Sequence, residues 1–208
     1  MQISNEGQLS VICGASRNGK SALTLQAIQE FSRALVWDVD DEYQENGLKP
    51  VRGIKNLTNE LIKTGGKPFK IAYIPGGLGE FDRFCQVVLS LADDLKQAGN
   101  PGLAVVVEET ADVTSPSKAP ANYRILIGRG MKRGISLFCV TQRPSESDKT
   151  SLGNAKYLVS FYMTRAADRE YMAREIGCTA EDIEALEKLE FLKKDVDGRK
   201  ITKGKLEF

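Results

Sequence analysis

The sequence predicts an α/β fold: a mostly parallel central sheet with helices on both faces and a C-terminal β-hairpin. Three observations carry that prediction. Short runs of β-branched residues alternate along the chain with segments of helical spacing, the order from which parallel sheets are built. One run, Leu103 to Val107 (LAVVV), is continuously apolar, as a strand covered on both faces must be. Between the apolar run Leu9 to Cys13 and a helical run from Ala22 to Phe31 stands GASRNGKS, residues 14–21, which fits GxxxxGK[ST] at a strand-to-helix junction.

Taken in order, Leu9 to Cys13 is the first strand and Ala22 to Phe31 the first helix. Ala34 to Val39 (ALVWDV) is the second strand, and it runs into Asp38, Asp40, Asp41, Glu42 and Tyr43. Asn46 and Gly47 supply a turn, Ile54 to Lys63 a short helix, and Gly65, Gly66 and Pro68 end it. Phe69 to Ile74 (FKIAYI) is a strand closed by Pro75 and glycines. From Glu80 to Ala98, Phe81, Phe84, Val87, Val88, Leu91, Ala92 and Leu95 form one helical stripe, stopped by Asn100, Pro101 and Gly102. After LAVVV come Glu108 and Glu109. Thr110 to Ala121 reads as a surface loop, Asn122 to Met131 as a helix, and Ile135 to Thr141 (ISLFCVT) as a strand ended by Gln142, Arg143 and Pro144. A polar loop to Asn154 precedes the strand Tyr157 to Met163. Helices follow over Ala166 to Ile176 and Ala180 to Leu189, the second capped by Thr179 with Asp182 three residues on. Phe191 to Phe208 reads as a hairpin turning at Asp197 and Gly198.

A chain of 208 residues without internal repeats or a long linker is expected to form one domain over 1–208. It is 41% hydrophobic, and no apolar stretch reaches membrane-spanning length; the start, MQISNEGQLS, lacks the features of a signal peptide. A soluble, cytoplasmic protein is the expectation. The absence of histidine excludes a histidine base or triad, and the four cysteines lack CxxC spacing, which argues against zinc. Three of the four cysteines, Cys13, Cys85, Cys139 and Cys178, lie in apolar surroundings and read as small core residues. A net charge of +1 means that any nucleic-acid contact must come from local patches or from a ring that gathers them.

The glycine-rich junction carries the first piece of chemistry. A strand that ends in such a turn and opens a helix aims several backbone N–H groups, with the helix dipole behind them, at one spot suited to a phosphate. Gly14, Ala15, Ser16, Arg17, Asn18, Gly19, Lys20, Ser21 and Ala22 are the candidate nucleotide-binding residues. Lys20 can reach the β- and γ-phosphates and the Ser21 hydroxyl can hold Mg²⁺. ATP and Mg²⁺ are therefore the expected cofactors. A turn that merely joins a strand to a helix is the bland alternative.

Phosphoryl transfer to water also needs a held metal and a group that orients the attacking water. Glu108 and Glu109, at the end of the most apolar strand, can supply these: Glu108 holding Mg²⁺, directly or through water, and Glu109 polarising the water. Many nucleotide-hydrolysing proteins carry Asp at the first position. Gln142, ending a neighbouring strand, can bridge the γ-phosphate and the water. Solvated strand ends would look the same.

GASRNGKS, VVVEE and GISLFCVTQRPS, in that order and spacing, resemble the P-loop, acidic-strand and glutamine motifs of the FtsK/HerA superfamily of DNA-pumping ATPases, and DVDDEY is similar to an acidic stretch ending in Glu-Tyr in HerA-like members. The resemblance runs from Leu9 to about Leu189. It implies a RecA-like P-loop NTPase core working as a homo-oligomeric ring, usually a hexamer, on double-stranded DNA. In such rings an arginine of one subunit reaches the γ-phosphate held by its neighbour; Arg129 and Arg133, just before the GISLF strand, are the candidates, with Arg165 and Arg169 remaining open. Short members of the superfamily include genome-packaging ATPases of membrane-containing, double-jelly-roll viruses, to which this chain is similar in size. A viral packaging motor in the host cytoplasm or at the virion packaging vertex is thus the first expectation, with capsid-vertex or membrane proteins as further partners. A cellular or plasmid DNA translocase is the alternative within the superfamily.

Lys118, Arg124, Lys132, Lys193, Lys194, Arg199, Lys200, Lys203 and Lys205 are the charges available for DNA phosphates. Outside the superfamily, a P-loop small-molecule kinase would need a lid and an acceptor pocket, and a nucleotide switch would barely hydrolyse; the chain has no NKxD motif for guanine. Gly76, Gly77 and Gly79, after Pro75, read as a tight turn and not as a second phosphate loop.

Overall fold

The computed structural model describes residues 7–207. The opening MQISNE, part of the stretch judged against a leader peptide, and Phe208 of the expected tail lie outside the described residues. Among the described residues, nine strands form one sheet in the order β3-β4-β2-β5-β6-β1-β7-β8-β9. They are β1 (Leu9–Cys13), β2 (Arg33–Trp37), β3 (Lys49–Arg52), β4 (Phe69–Ile74), β5 (Leu103–Val107), β6 (Ile135–Thr141), β7 (Tyr157–Phe161), β8 (Glu190–Asp195) and β9 (Lys200–Lys205). Every pairing from β3 to β7 is parallel. β8 and β9 form the expected antiparallel hairpin, added beside β7. β1, β2, β5 and β6 are buried at every position, which explains the continuous apolar run of β5 and the mainly apolar character of the other three.

The helices are α1 (Lys20–Gln29), α2 (Ile54–Thr64), α3 (Phe81–Gln97), α4 (Thr110–Val113), α5 (Ala121–Arg129), α6 (Lys149–Asn154), α7 (Ala166–Ile176) and α8 (Ala180–Glu184). They lie on both faces of the sheet, unequally. Residues of α2, α3, α5, α6, α7 and α8 share one core cluster, in which Trp37 of β2 packs against Phe81 and Phe84 at ring-centroid distances of 5.0 and 5.3 Å. Among the described residues, α1 is the helix of the opposite cluster, where Ile28 joins Phe31, Tyr43, Leu48 and Leu206.

Four elements depart from the sequence expectation. The stretch read as a surface loop from Thr110 to Ala121 opens with the one-turn helix α4, whose Thr110 is buried and whose hydroxyl donates to Val140 O at 3.2 Å. β3 has Pro50 within it and one buried side chain, Val51; as the sheet edge it pairs only with β4, where a missing N–H is tolerated. The polar stretch before Asn154 holds α6, capped by the Asp148 carboxylate, which accepts the Thr150 N–H at 2.9 Å. α8 ends at Glu184 and not at Leu189: Ala185 closes it, and Leu189, at φ 69°, belongs to the turn that enters β8. Its predicted start is a full capping box, Thr179 and Asp182 each accepting the other's backbone N–H. Cys13, Cys85 and Cys139 are buried free thiols, as expected of core residues.

Candidate active site

Parallel strands deliver their carboxyl ends to one edge, so the residues following β1, β2, β5 and β6 meet there. The register Trp37↔Val107 sets Asp38 beside Glu108, and Val107↔Cys139 brings Glu109 level with the end of β6. Backbone bonds continue past the strands: Asp38 N–H donates to Tyr73 O at 2.9 Å and Glu108 N–H to Trp37 O at 3.2 Å. The result is a cavity of about 430 Å³ lined by Ser16, Arg17, Gly19, Lys20, Ser21, Ala22, Asp38, Asp40, Glu42, Tyr43, Glu108, Glu109, Gln142 and Leu189.

Of the nine loop residues expected from sequence, six line this cavity. Gly14 and Ala15 instead anchor the loop, their N–H groups donating to Thr141 O at 3.3 Å and Tyr162 O at 2.8 Å. Asn18 folds back, its side-chain N–H donating to Ser16 O at 3.1 Å. Gly14 is required by proximity, since a Cβ there would stand 2.6 Å from the Phe161 Cβ. α1 begins at Lys20, so the N–H groups of its first turn have no intrahelical partner and face the cavity end of the helix. Lys20 is buried and its ammonium rests on Ala15 O at 3.2 Å, a weak neutral acceptor that a phosphate oxygen would displace.

The two acids of β5 are held differently. Glu109 has φ 47° and its carboxylate accepts the Gln142 side-chain N–H at 2.8 Å and the Gln142 backbone N–H at 3.3 Å. β5 and β6 are thereby tied through the two side chains assigned to the attacking water. Glu108 is only 9% exposed, and burial pushes its carboxyl up to about 7, opposed by the Tyr43 hydroxyl and by Lys20. The Tyr43 hydroxyl donates to Glu108 Oε1, and the Thr24 hydroxyl lies 2.8 Å from the Tyr43 oxygen. Asp38 accepts the N–H groups of Glu42 and Tyr43, each at 3.0 Å, which fixes the turn after β2.

The Ser21 hydroxyl and the Glu108 carboxylate offer the hard oxygen donors that Mg²⁺ prefers. Among the described residues no cluster of three or more His, Cys, Asp or Glu could cage a metal alone, and Mg²⁺ beside phosphates needs only one or two protein oxygens.

The arginines divide between the two ends of the sheet. Arg129 is exposed at the end of α5, and Arg133 pairs with Asp93 of α3 at 2.7 Å; both precede β6 and so lie at the edge opposite the cavity. Arg165 and Arg169 follow β7 on the cavity edge, Arg165 bonded to Glu146 at 2.5 Å and Arg169 to Glu184 at 3.3 Å. Of the basic tail, Lys203 pairs with Glu190 and Lys205 with Glu187, and the Lys193 ammonium sits 4.2 Å from the Tyr157 ring centroid. Gly76 belongs to a turn, its N–H donating to Glu80 at 2.9 Å.

Asp38, Asp40, Glu42 and Tyr43, which the sequence places at the ligand-binding edge without a role, and Leu189 also line the cavity. The acids after β2 were visible in the sequence, but their place depends on β2 pairing with β5. Leu189 carries no sequence signal at all.

No protein-family model matches the chain. Protein P9 of Pseudoalteromonas phage PM2 is 32% identical over 181 residues, 86% of this chain and 79% of that protein. The genome-packaging NTPase B204 of Sulfolobus turreted icosahedral virus 2, solved in complex with ATP-gammaS, superposes with a TM-score of 0.78 at 16% identity, covering 97% of this chain and 98% of that one. The bacterial conjugative coupling protein TrwBdeltaN70 gives 0.67 at 11% identity, covering 100% and 90%. The α/β P-loop fold expected from the sequence is the fold these two structures share with the chain.

Proposed function

The chain belongs to the family of protein P9 of Pseudoalteromonas phage PM2, and we propose, from its site and its fold, that it is an ATP-hydrolysing DNA translocase, a viral genome-packaging motor in which one P-loop ATPase domain, 1–208, couples ATP hydrolysis to the pumping of double-stranded DNA. The observation that carries the reading is the convergence of Lys20, Ser21, Glu108, Glu109 and Gln142 on one cavity, at the strand edge where α/β sheets bind ligands. A fold shared with a genome-packaging NTPase and a conjugative coupling protein supports the DNA-handling part.

In this reading the backbone of Ser16 to Ala22 receives the phosphates and Lys20 meets the β and γ oxygens. Ser21 and Glu108 would hold Mg²⁺, which supplies charge neutralisation to the phosphates. Glu109, oriented by Gln142, accepts the proton of the attacking water. Subunits assemble as a ring, a hexamer in the reading, and an arginine of the neighbour completes the site in trans. Arg129 and Arg133 remain candidates, with Arg165 and Arg169 beside them. The ring works in the host cytoplasm or at the virion vertex, against capsid or membrane proteins. Among the described residues no helix is long and apolar enough to cross a membrane.

ATP hydrolysis measured with and without duplex DNA tests the reading. Turnover without any acceptor, stimulated by DNA and abolished in Lys20→Ala, is expected. Phosphate transfer that requires a small-molecule acceptor would make the chain a kinase instead.

A further inference from the structure

Beyond the P-loop and the β5 acids, the structure assigns Tyr43 as a positioning residue that fixes the Glu108 carboxylate through its hydroxyl. This rests on the hydrolytic reading above and names a residue that the reading does not use. Tyr43 is 1% exposed, and its hydroxyl lies between Thr24 of α1 and Glu108 at the end of β5. Proton counting gives the chain a direction. The Tyr43 hydroxyl donates to Glu108 Oε1, which leaves the tyrosine oxygen to accept from the Thr24 hydroxyl, whose proton also has the Lys20 and Ser21 carbonyls in reach at 3.2 and 2.9 Å. The chain therefore begins one turn beyond Lys20 and Ser21, the residues that meet phosphate and metal, and ends on the acid assigned to the same metal.

Two features show why such a clamp is needed. Glu has one more rotatable bond than Asp, so an acid of this length must be restrained to serve as a reproducible ligand. The clamp is itself built: Asp38 accepts the N–H groups of Glu42 and Tyr43, so the backbone that carries the phenol is pinned to the end of β2, adjacent to β5. Glu108 Oε2 is left outside this bond.

Tyr43→Phe keeps the ring and removes the hydroxyl. Its kcat is expected to fall by about 10- to 100-fold with KM for ATP unchanged, and the affinity for Mn²⁺ of the protein saturated with a non-hydrolysable ATP analogue, read by paramagnetic resonance, to fall by a similar factor. In a Glu108→Asp background the shorter acid no longer reaches the phenol, so adding Tyr43→Phe should change neither quantity. Should Tyr43→Phe not fold, Thr24→Val takes its place and is expected to lower both in the same direction. Wild-type kcat and Mn²⁺ affinity in the variant, or an equal loss in the Glu108→Asp background, would overturn the assignment. Failure of the wild-type protein to hydrolyse ATP would instead remove the hydrolytic reading on which it rests.

Discussion

Gly19 answers to two demands at once. Its φ is 114°, and a Cβ there would stand 2.9 Å from Leu206 Cδ1 and 3.0 Å from Phe161 Cε1. Leu206 can yield at its tip, but Phe161 is held by Phe191 at 5.6 Å and the backbone strain has no relief. Gly19→Ala should therefore lose about 1–3 kcal/mol in urea unfolding; an unchanged midpoint would show that the loop is not braced by the C-terminal segment. At this scale the sequence was partly legible. Lys20 and Ser21 are named by a motif whose spacing is itself the geometry, and Glu108, Glu109 and Gln142 by their positions as strand ends. Tyr43 and Asp38 were not legible as site residues, because their role is a contact between β2 and β5 that no local pattern encodes. The anchoring roles of Gly14 and Ala15, which give their N–H groups to neighbouring segments, were likewise hidden behind the motif.

Among the elements, α8 shows how much a short helix owes to its cap. Five residues are too few to be stable alone, and the Thr179–Asp182 box satisfies donors that the helix leaves open. Asp182 accepts the Thr179 N–H, which holds its carboxyl below the usual Asp value of 3.8. A lowered folded value contributes stability above the unfolded value and loses it as pH falls through the folded one. Asp182→Ala should therefore unfold more easily than wild type at neutral pH, and the gap between the two denaturation midpoints should begin to narrow near pH 3.8 and close as pH falls through the lower folded value. A gap that persisted in acid would mean that packing, and not the charge, is lost. The capping box could be read from Thr179 and Asp182 alone. α6 and β3 could not: six residues with Leu152 as the one large apolar side chain give no apolar stripe, and a four-residue edge strand containing proline gives no alternation.

The whole molecule is one sheet whose strand order sets what meets what. Alternation along the chain predicted a parallel sheet, but not that β5 lies between β2 and β6, nor that α1 faces six helices across the sheet. Both follow from long-range pairing. With a net charge of +1, the proposed DNA contact would have to be collected from patches in the proposed ring and directed to phosphates. Binding to duplexes of scrambled sequence should be alike, and the logarithm of the affinity should fall linearly with the logarithm of salt, with a slope near about −0.9 per phosphate neutralised. Salt-indifferent binding would contradict the proposed contact. Wild-type subunits mixed with an arginine variant should regain turnover if that arginine acts in trans, and Arg129, Arg133, Arg165 and Arg169 are each to be tested so.

The central claim is that the phosphate loop and the β5 acids form one hydrolytic centre, and Glu109→Gln tests it most directly. Its carbonyl can still accept from Gln142 while the base is gone. The account predicts that this variant binds ATP as wild type does and hydrolyses it about 10²- to 10⁴-fold more slowly; turnover at the wild-type rate would contradict it.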